Sequence, residues 1–80
     1  MAKKSHRKYF SDEPFIAAVG KKIREVRAAK GITIDTLSVA SDMSYSQLSR
    51  IELGQVNWSI SFLPKIANAL KVNVHELIPY

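Results

Sequence analysis

The stretch "DMSYSQLSRIELG", residues 42–54, contains a predicted helix that two aliphatic side chains attach to the rest of the protein. Leu48 and Ile51 stand three residues apart, and hydroxyls, an amide and one arginine surround them. Residues three apart share a helix face, so these two side chains suffice to dock it. The opposite face is predicted to point outward, and it consists of Ser46, Ser49, Arg50 and Leu53.

Four helix starts along the chain share one pattern. In each, an apolar residue precedes a capping residue and another apolar residue follows the cap by four positions, as in a hydrophobic staple. The four capping residues are Thr33, Ser44, Ser59 and Asn73. Ser44 with Gln47, and Asn73 with Glu76, also fit the spacing of a capping box.

The first helix begins after a different signal, "SDEP", which joins cap-forming and acidic residues to a proline tolerated in a first turn. Its apolar stripe is predicted to be Phe15, Val19, Ile23 and Val26, and Gly31 is a natural C-terminal stop. The chain therefore predicts five helices over residues 13–30, 34–41, 45–52, 60–70 and 74–78. No run of strand length alternates with a period of two between turn signals.

Pro64 conflicts with the fourth of these helices. Five residues inside residues 60–70, it would remove one backbone hydrogen bond and bend the helix slightly. The stripe of Leu63, Ile66, Ala67 and Leu70 still favours the helix.

The second and third helices are joined only by "SDMS", residues 41–44. So short a connection requires a steep crossing, which is the helix-turn-helix arrangement. The predicted class is all-α.

Composition limits the chemistry that this chain can perform. Its 80 residues make one small domain without cysteine, which excludes disulfides and thiolate zinc sites. Only two histidines occur, near opposite ends, and no paired acids, nucleophile–base order or phosphate loop is present. We therefore expect no metal, no cofactor and no catalytic residues. Asp12, Glu13 and Pro14 interrupt the signal-like N-terminus, so we expect it to be retained and the protein to be cytoplasmic.

The net charge of +5 is concentrated at the N-terminus. The first ten residues contain no acid and four basic residues, namely Lys3, Lys4, Arg7 and Lys8. Residues 1–11 are predicted to be a flexible basic arm, and residues 12–80 the folded domain. Such a charge distribution favours a polyanion such as nucleic acid, although a basic tail can also serve solubility alone.

The outward face of the third helix suits the major groove of DNA. Short hydroxyls let a helix backbone approach the bases, and Arg50 can donate two hydrogen bonds to O6 and N7 of guanine. Tyr45, at the N-terminal end, can contact a base edge, a thymine methyl group or a phosphate. A polar face is also compatible with simple exposure to water.

Residues 20–77 resemble the phage-repressor and Cro type of helix-turn-helix domain, the XRE family. The resemblance is carried by three motifs in order, "GKKIREVRAAKG", "SYSQLSRIELG" and "LPKIANALKV". It implies a five-helix, lambda-repressor-like DNA-binding domain whose third helix reads DNA. The implied base contacts are Tyr45, Ser46, Ser49 and Arg50. The implied phosphate contacts are Thr33, Gln47, Gln55 and Asn57, with Gln47 also a candidate for the Ser44 capping box.

The same resemblance implies a buried structural ion pair between Arg27 and Glu52. The chain departs from the family pattern at several positions. Ile34 stands where a glutamine contact is common, and Asp42 and Lys71 stand where glycine is frequent. Trp58 replaces a common proline, and either staples to Leu63 or extends an apolar patch.

The favoured function is a sequence-specific, double-stranded DNA-binding transcription regulator that acts as a homodimer on an operator. The arm residues Lys3, Lys4, Arg7 and Lys8 would add phosphate contacts. The candidate dimer surface is Trp58, Ile60, Leu77, Ile78 and Tyr80, although Leu77 can instead complete the core. The alternative is a partner-binding module of the same fold, antitoxin-like, with weak DNA binding.

Overall fold

The computed structural model describes residues 9–10, 13–55, 58–59 and 61–79. Its helices are α1 (Glu13–Ala29), α2 (Ile34–Ser41), α3 (Tyr45–Glu52), α4 (Phe62–Leu70) and a final 3-10 helix (Val74–Leu77). Two strands of two residues each, β1 (Tyr9–Phe10) and β2 (Trp58–Ser59), complete the described elements. The all-α class and the helix-turn-helix pair of α2 and α3 are confirmed. The last predicted helix is a single 3-10 turn.

One hydrophobic core joins all five helical segments. The buried face of α1 holds Ile16, Val19, Gly20 and Ile23, so Ile16 takes the place predicted for Phe15, which packs half-buried at the edge. The predicted stripe of α4 is buried as expected, at Leu63, Ile66, Ala67 and Leu70. The core is thus made mainly of small and branched aliphatic side chains.

Leu77 corrects one prediction. It is fully buried in the core at 0% exposure, so it cannot belong to an exposed dimer surface, and the alternative that it completes the core holds. The 3-10 turn packs against both α1 and α4, which places this side chain between them.

Two of the predicted N-caps are formed by side chains. Thr33 accepts a hydrogen bond from the Thr36 amide at 3.1 Å, and Ser44 accepts one from the Gln47 amide at 3.0 Å. At the last turn the Glu76 carboxylate accepts a hydrogen bond from the Asn73 amide at 3.2 Å. These contacts satisfy amides that a helix start leaves without an intrahelical partner.

The predicted start of α4 is wrong. Ser59 lies in β2, and α4 begins at Phe62 after Ser61. Pro64 is therefore the third helical residue, in the first turn, where no intrahelical bond uses the backbone N–H. The expected loss of a hydrogen bond and the bend do not apply.

All four α-helices end in the same hydrogen-bonded motif. A residue of positive φ follows each helix, namely Gly31, Asp42, Gly54 and Lys71, with φ between 58° and 69°. The next amide donates back to the carbonyl five residues earlier, at 2.9 to 3.2 Å. This is the Schellman motif, which pairs carbonyls at the helix end.

Helices α1 and α3 cross in close contact at Gly20. A Cβ atom at this position would lie 2.1 Å from the Ile51 carbonyl oxygen and 2.9 Å from that of Glu52. Only glycine lets the two backbones approach this closely. The crossing sets the position of α3 relative to α1.

The short strands form an antiparallel pair that the sequence does not predict. Tyr9 pairs with Ser59 and Phe10 with Trp58. Tyr9 and Phe10, which belong to the predicted arm of residues 1–11, are thereby joined to the segment that precedes α4. No helix within the described residues has the length and apolar character needed to cross a membrane.

Candidate nucleic-acid interface

Helix α3 buries three side chains on its inner side. Leu48 and Ile51 are buried at 0% and 1% exposure, and Glu52 is buried beside them. On the outer side, Tyr45 is 53% and Leu53 58% exposed. The helix is therefore anchored along one edge, as its sequence predicts.

The four candidate base contacts are not equally exposed. Tyr45, Ser46 and Arg50 are exposed, whereas Ser49 is half-buried. With about 100° between successive helical residues, Arg50 lies about 40° to one side of Ser46 and Ser49 about 60° to the other. Arg50 thus stands at one flank of the outer face and Ser49 at the flank that turns toward α1.

The turn between α2 and α3 is fixed by local hydrogen bonds. The Ser38 hydroxyl donates to the Met43 carbonyl, and the Ser41 hydroxyl donates to the Leu37 carbonyl at 2.7 Å. Asp42 takes the left-handed conformation, and the side chain of Met43 enters the core. The two helices consequently present their N-termini in a fixed relative orientation.

The candidate phosphate contacts lie around this face as far as they are described. Thr33 is exposed at the start of α2, Gln47 is half-buried in the first turn of α3, and Gln55 is exposed just beyond α3. The structure shows the Ser44 half of the capping box, in which the Gln47 amide donates to the Ser44 hydroxyl oxygen. Asn57 and the basic residues Lys3, Lys4, Arg7 and Lys8 lie outside the described residues.

Arg27 and Glu52 meet in a two-pronged ion pair across α1 and α3. The distances are 2.6 Å from Nε to Oε2 and 3.0 Å from Nη2 to Oε1. Nη1 of Arg27 also donates to the Ile32 carbonyl at 2.8 Å, just before α2. One guanidinium therefore connects α1, the start of α2 and the end of α3.

The electrostatics of this pair keep Arg27 charged. The hydrogen bond with Glu52 raises the pKa of the guanidinium, burial lowers it, and attraction to Glu52 and to Tyr45 raises it further. The net shift is upward. The ion pair fixes the end of α3 against α1.

A groove that the sequence does not predict lies beside α3. It has a volume of about 200 Å³, and its lining residues are Arg24, Arg27, Ile34, Ser49, Glu52 and Leu53. Arg24 is exposed on α1 and was not among the predicted contacts. Its spacing of three residues from Arg27 puts both on one side of α1, which is the signal that could have identified it.

The structure describes the side chains of two candidate residues of the dimer surface, Leu77 and Ile78. Ile78 is half-buried and packs against the core. Ile60, Tyr80 and the side chain of Trp58 lie outside what the structure describes. Trp58 therefore remains a candidate for either the staple or the apolar patch.

Comparison with known proteins places this geometry among DNA-binding regulators. A family model described as helix-turn-helix, HTH_3, matches residues 23–77. SlrR, an HTH-type transcriptional regulator of Bacillus subtilis (strain 168), is 43% identical over 60 residues, which are 74% of this chain and 40% of SlrR. The chain spans between 40% and 55% of the length of the curated relatives that it matches.

Solved structures of similar proteins share the fold along most of their length. The restriction-modification controller protein C.AhdI from Aeromonas hydrophila superposes with a TM-score of 0.75 at 35% identity, covering 79% of this chain and 96% of C.AhdI. The controller protein C.Esp1396I, solved as a tetramer with its natural 35 base-pair operator, superposes with a TM-score of 0.71 at 29% identity. That match covers 74% of this chain and 78% of C.Esp1396I.

Proposed function

We propose that this chain, which belongs to the helix-turn-helix family HTH_3, is a sequence-specific, double-stranded DNA-binding transcription regulator. The observation that carries the proposal is the arrangement of α3. Two buried aliphatic residues hold it, and Tyr45, Ser46 and Arg50 are exposed on its outer side. A helix anchored in this way can enter the major groove without any rearrangement of the core.

Each exposed group has a defined part in this mechanism. Arg50 reads guanine through two parallel hydrogen bonds, and Ser46 and Tyr45 contact base edges closer to the start of α3. Thr33, Gln47 and Gln55 bind phosphates, and amides at the helix starts assist them because helix N-termini attract anions. Occupancy of an operator then blocks or recruits polymerase in the cytoplasm, and no chemical step is involved.

The active form is proposed to be a homodimer. One module of 80 residues covers too little DNA for high affinity, whereas a dimer places two recognition helices about 34 Å apart, one turn of DNA. Pairing is supported by the fold that this chain shares with controller proteins, because one of them, C.Esp1396I, was solved as a tetramer on its operator. A homodimer with two-fold symmetry would bind an operator whose sequence has the same symmetry.

Selection of bound sites from random duplexes tests the proposal. The expected result is an enriched consensus with two-fold symmetry. Arg50→Ala should weaken binding by about 1–3 kcal/mol and relax one base position in each half-site, because a bidentate guanine contact is lost. Lys65→Ala, an exposed substitution on α4, is the matched control and should keep the consensus.

Two outcomes would contradict the proposal. If Arg50→Ala selects the same consensus as the wild type, Arg50 does not contact a base. Absence of any enriched sequence, together with weak duplex affinity at both low and high salt, would favour the partner-binding module instead.

A further inference from the structure

Arg24 is an exposed cation at the edge of the groove beside α3. No described residue forms a hydrogen bond or ion pair with its side chain, in contrast to Arg27, which bonds to Glu52 and to the Ile32 carbonyl. The charges that line the groove are two arginines and one glutamate, and the glutamate is already paired with Arg27. Arg24 is therefore the positive charge that the groove leaves uncompensated.

The groove lies on a particular flank of the recognition helix. Its α3 wall is formed by Ser49 and Leu53, which belong to the outer face, on the opposite flank from Arg50. A helix in the major groove runs between the two sugar-phosphate backbones. The backbone on the Ser49 flank would then face α1 and the side chain of Arg24.

The walls of the groove suit a phosphodiester better than a base. Arg24 and the Ser49 hydroxyl supply donors, whereas Ile34 and Leu53 offer no group that could distinguish one base from another except by contact with a methyl group. At about 200 Å³ the groove has room for a phosphate group. Arg27 stays fixed by its ion pair, in which the Glu52 carboxylate compensates its charge.

We propose that this groove binds a phosphate of the DNA backbone and that Arg24 is its main ligand. The proposal rests on DNA binding by α3 and adds a contact from α1 on the flank opposite Arg50. Arg24 would then position α3 in the groove of any duplex sequence, while Arg50 selects the sequence. Ser49, at this flank, would share the phosphate rather than read a base.

The test compares duplex binding by Arg24→Gln and Lys21→Gln across a range of salt concentrations. Both residues are exposed cations on α1, three positions apart, but only Arg24 lines the groove, so Lys21→Gln measures the effect of losing one charge from the same helix outside the groove. Arg24→Gln should reduce the slope of log affinity against log salt by about 0.9 per subunit. Between 1 M and 0.1 M salt, the affinity of the wild type should therefore rise roughly eightfold more per subunit than the affinity of Arg24→Gln. The consensus should not change, and Arg24→Lys should retain most of the slope.

The controls separate this proposal from the proposed function. If the wild type binds a consensus that depends on Arg50 while Arg24→Gln and Lys21→Gln give equal slopes, the Arg24 contact is refuted and DNA binding stands. If inorganic phosphate binds to the wild type but not to Arg24→Gln, while the two proteins bind duplex with equal affinity and equal salt slope, the groove is a free-phosphate site and the backbone assignment is overturned. Loss of binding by the wild type itself would refute the proposed function.

Discussion

Glu52 is buried at 7% exposure, and its carboxylate is matched by both prongs of the Arg27 guanidinium. Removing two charges from water carries a large desolvation penalty, which the attraction in such a pair only partly offsets. The pair should therefore contribute more to the placement of α3 than to net stability. Because 25 residues separate the partners, helical spacing could not identify them, and only the resemblance to a known family did.

Removal of one partner should be far more damaging than removal of both. We expect Arg27→Met to destabilise the fold by about 3–5 kcal/mol, since it leaves the Glu52 carboxylate buried without its partner. The double variant with Glu52→Leu should recover a large part of that loss. Urea unfolding of the wild type, the two single variants and the double variant measures the coupling directly.

The outcome that would contradict this expectation is additivity. If the double variant loses the sum of the two single effects, the residues do not act as a pair in solution.

The raised pKa of Arg27 also predicts how the stability of the fold depends on pH. Since the folded-state pKa of Arg27 is raised, the stability that its charge contributes is present below its ordinary pKa and is lost as the pH rises into strongly alkaline solution.

Helix starts and helix ends differ in how far the sequence predicts them. The starts of α2 and α3 depend on side chains within three residues, Thr33 to Thr36 and Ser44 to Gln47, so a local pattern suffices. The start of α4 depends on a distant partner, because Ser59 pairs with Tyr9 across 50 positions. Ser59 has the residue type and spacing of an N-cap, but its backbone pairs in a strand instead of starting a helix.

The ends of α2 and α4 hold Asp42 and Lys71 in the left-handed region, where the family often has glycine. A non-glycine residue in this conformation is disfavoured by about 1–2 kcal/mol. Replacing it with glycine relieves this strain, but glycine loses more chain entropy on folding, which cancels about 0.5–1 kcal/mol of the gain. Lys71→Gly should therefore stabilise the domain by about 0.5–1 kcal/mol. The measurement is the urea midpoint at an unchanged m-value.

Lys65→Gly is the matched control for this prediction. It makes the same substitution within α4, where the backbone is helical, and should destabilise by about 1 kcal/mol because glycine is a poor helix former. Equal destabilisation by both variants would show that Lys71 is not strained at the C-terminal end of α4.

At the scale of the whole domain, three contacts from α1 and α2 hold α3 so that its outer face is presented. Gly20 brings α1 into backbone contact, Arg27 links the end of α3 to the start of α2, and Ser38 holds the turn. The sequence predicts that the face is polar and exposed, because this follows from helical period alone. It does not predict that Ser49 is half-buried, because that depends on how closely α1 approaches.

The antiparallel pair of β1 and β2 gives the basic arm a defined point of departure. Lys8 directly precedes Tyr9, whose backbone pairs with Ser59, four residues beyond Gln55. Tyr9, the residue after Lys8, is thereby paired with the strand that follows the candidate phosphate contacts Gln55 and Asn57 in sequence. This proximity comes from long-range strand pairing, which no local pattern in residues 1–10 indicates.

We expect the arm to add affinity without adding sequence preference. Lys3→Gln combined with Lys4→Gln should weaken binding to all duplexes alike and lower the salt slope by up to about 1.8 per subunit, because two phosphate contacts are lost. The control combines Lys21→Gln with Lys65→Gln, which removes the same charge from α1 and α4. Unfolding by urea should be unchanged in both variants, since the described core consists of apolar side chains and surface substitutions usually have small effects on stability. Equal slopes for the two double variants would mean that the arm acts only through the overall charge of the protein, and a changed consensus in the arm variant would mean that it reads bases.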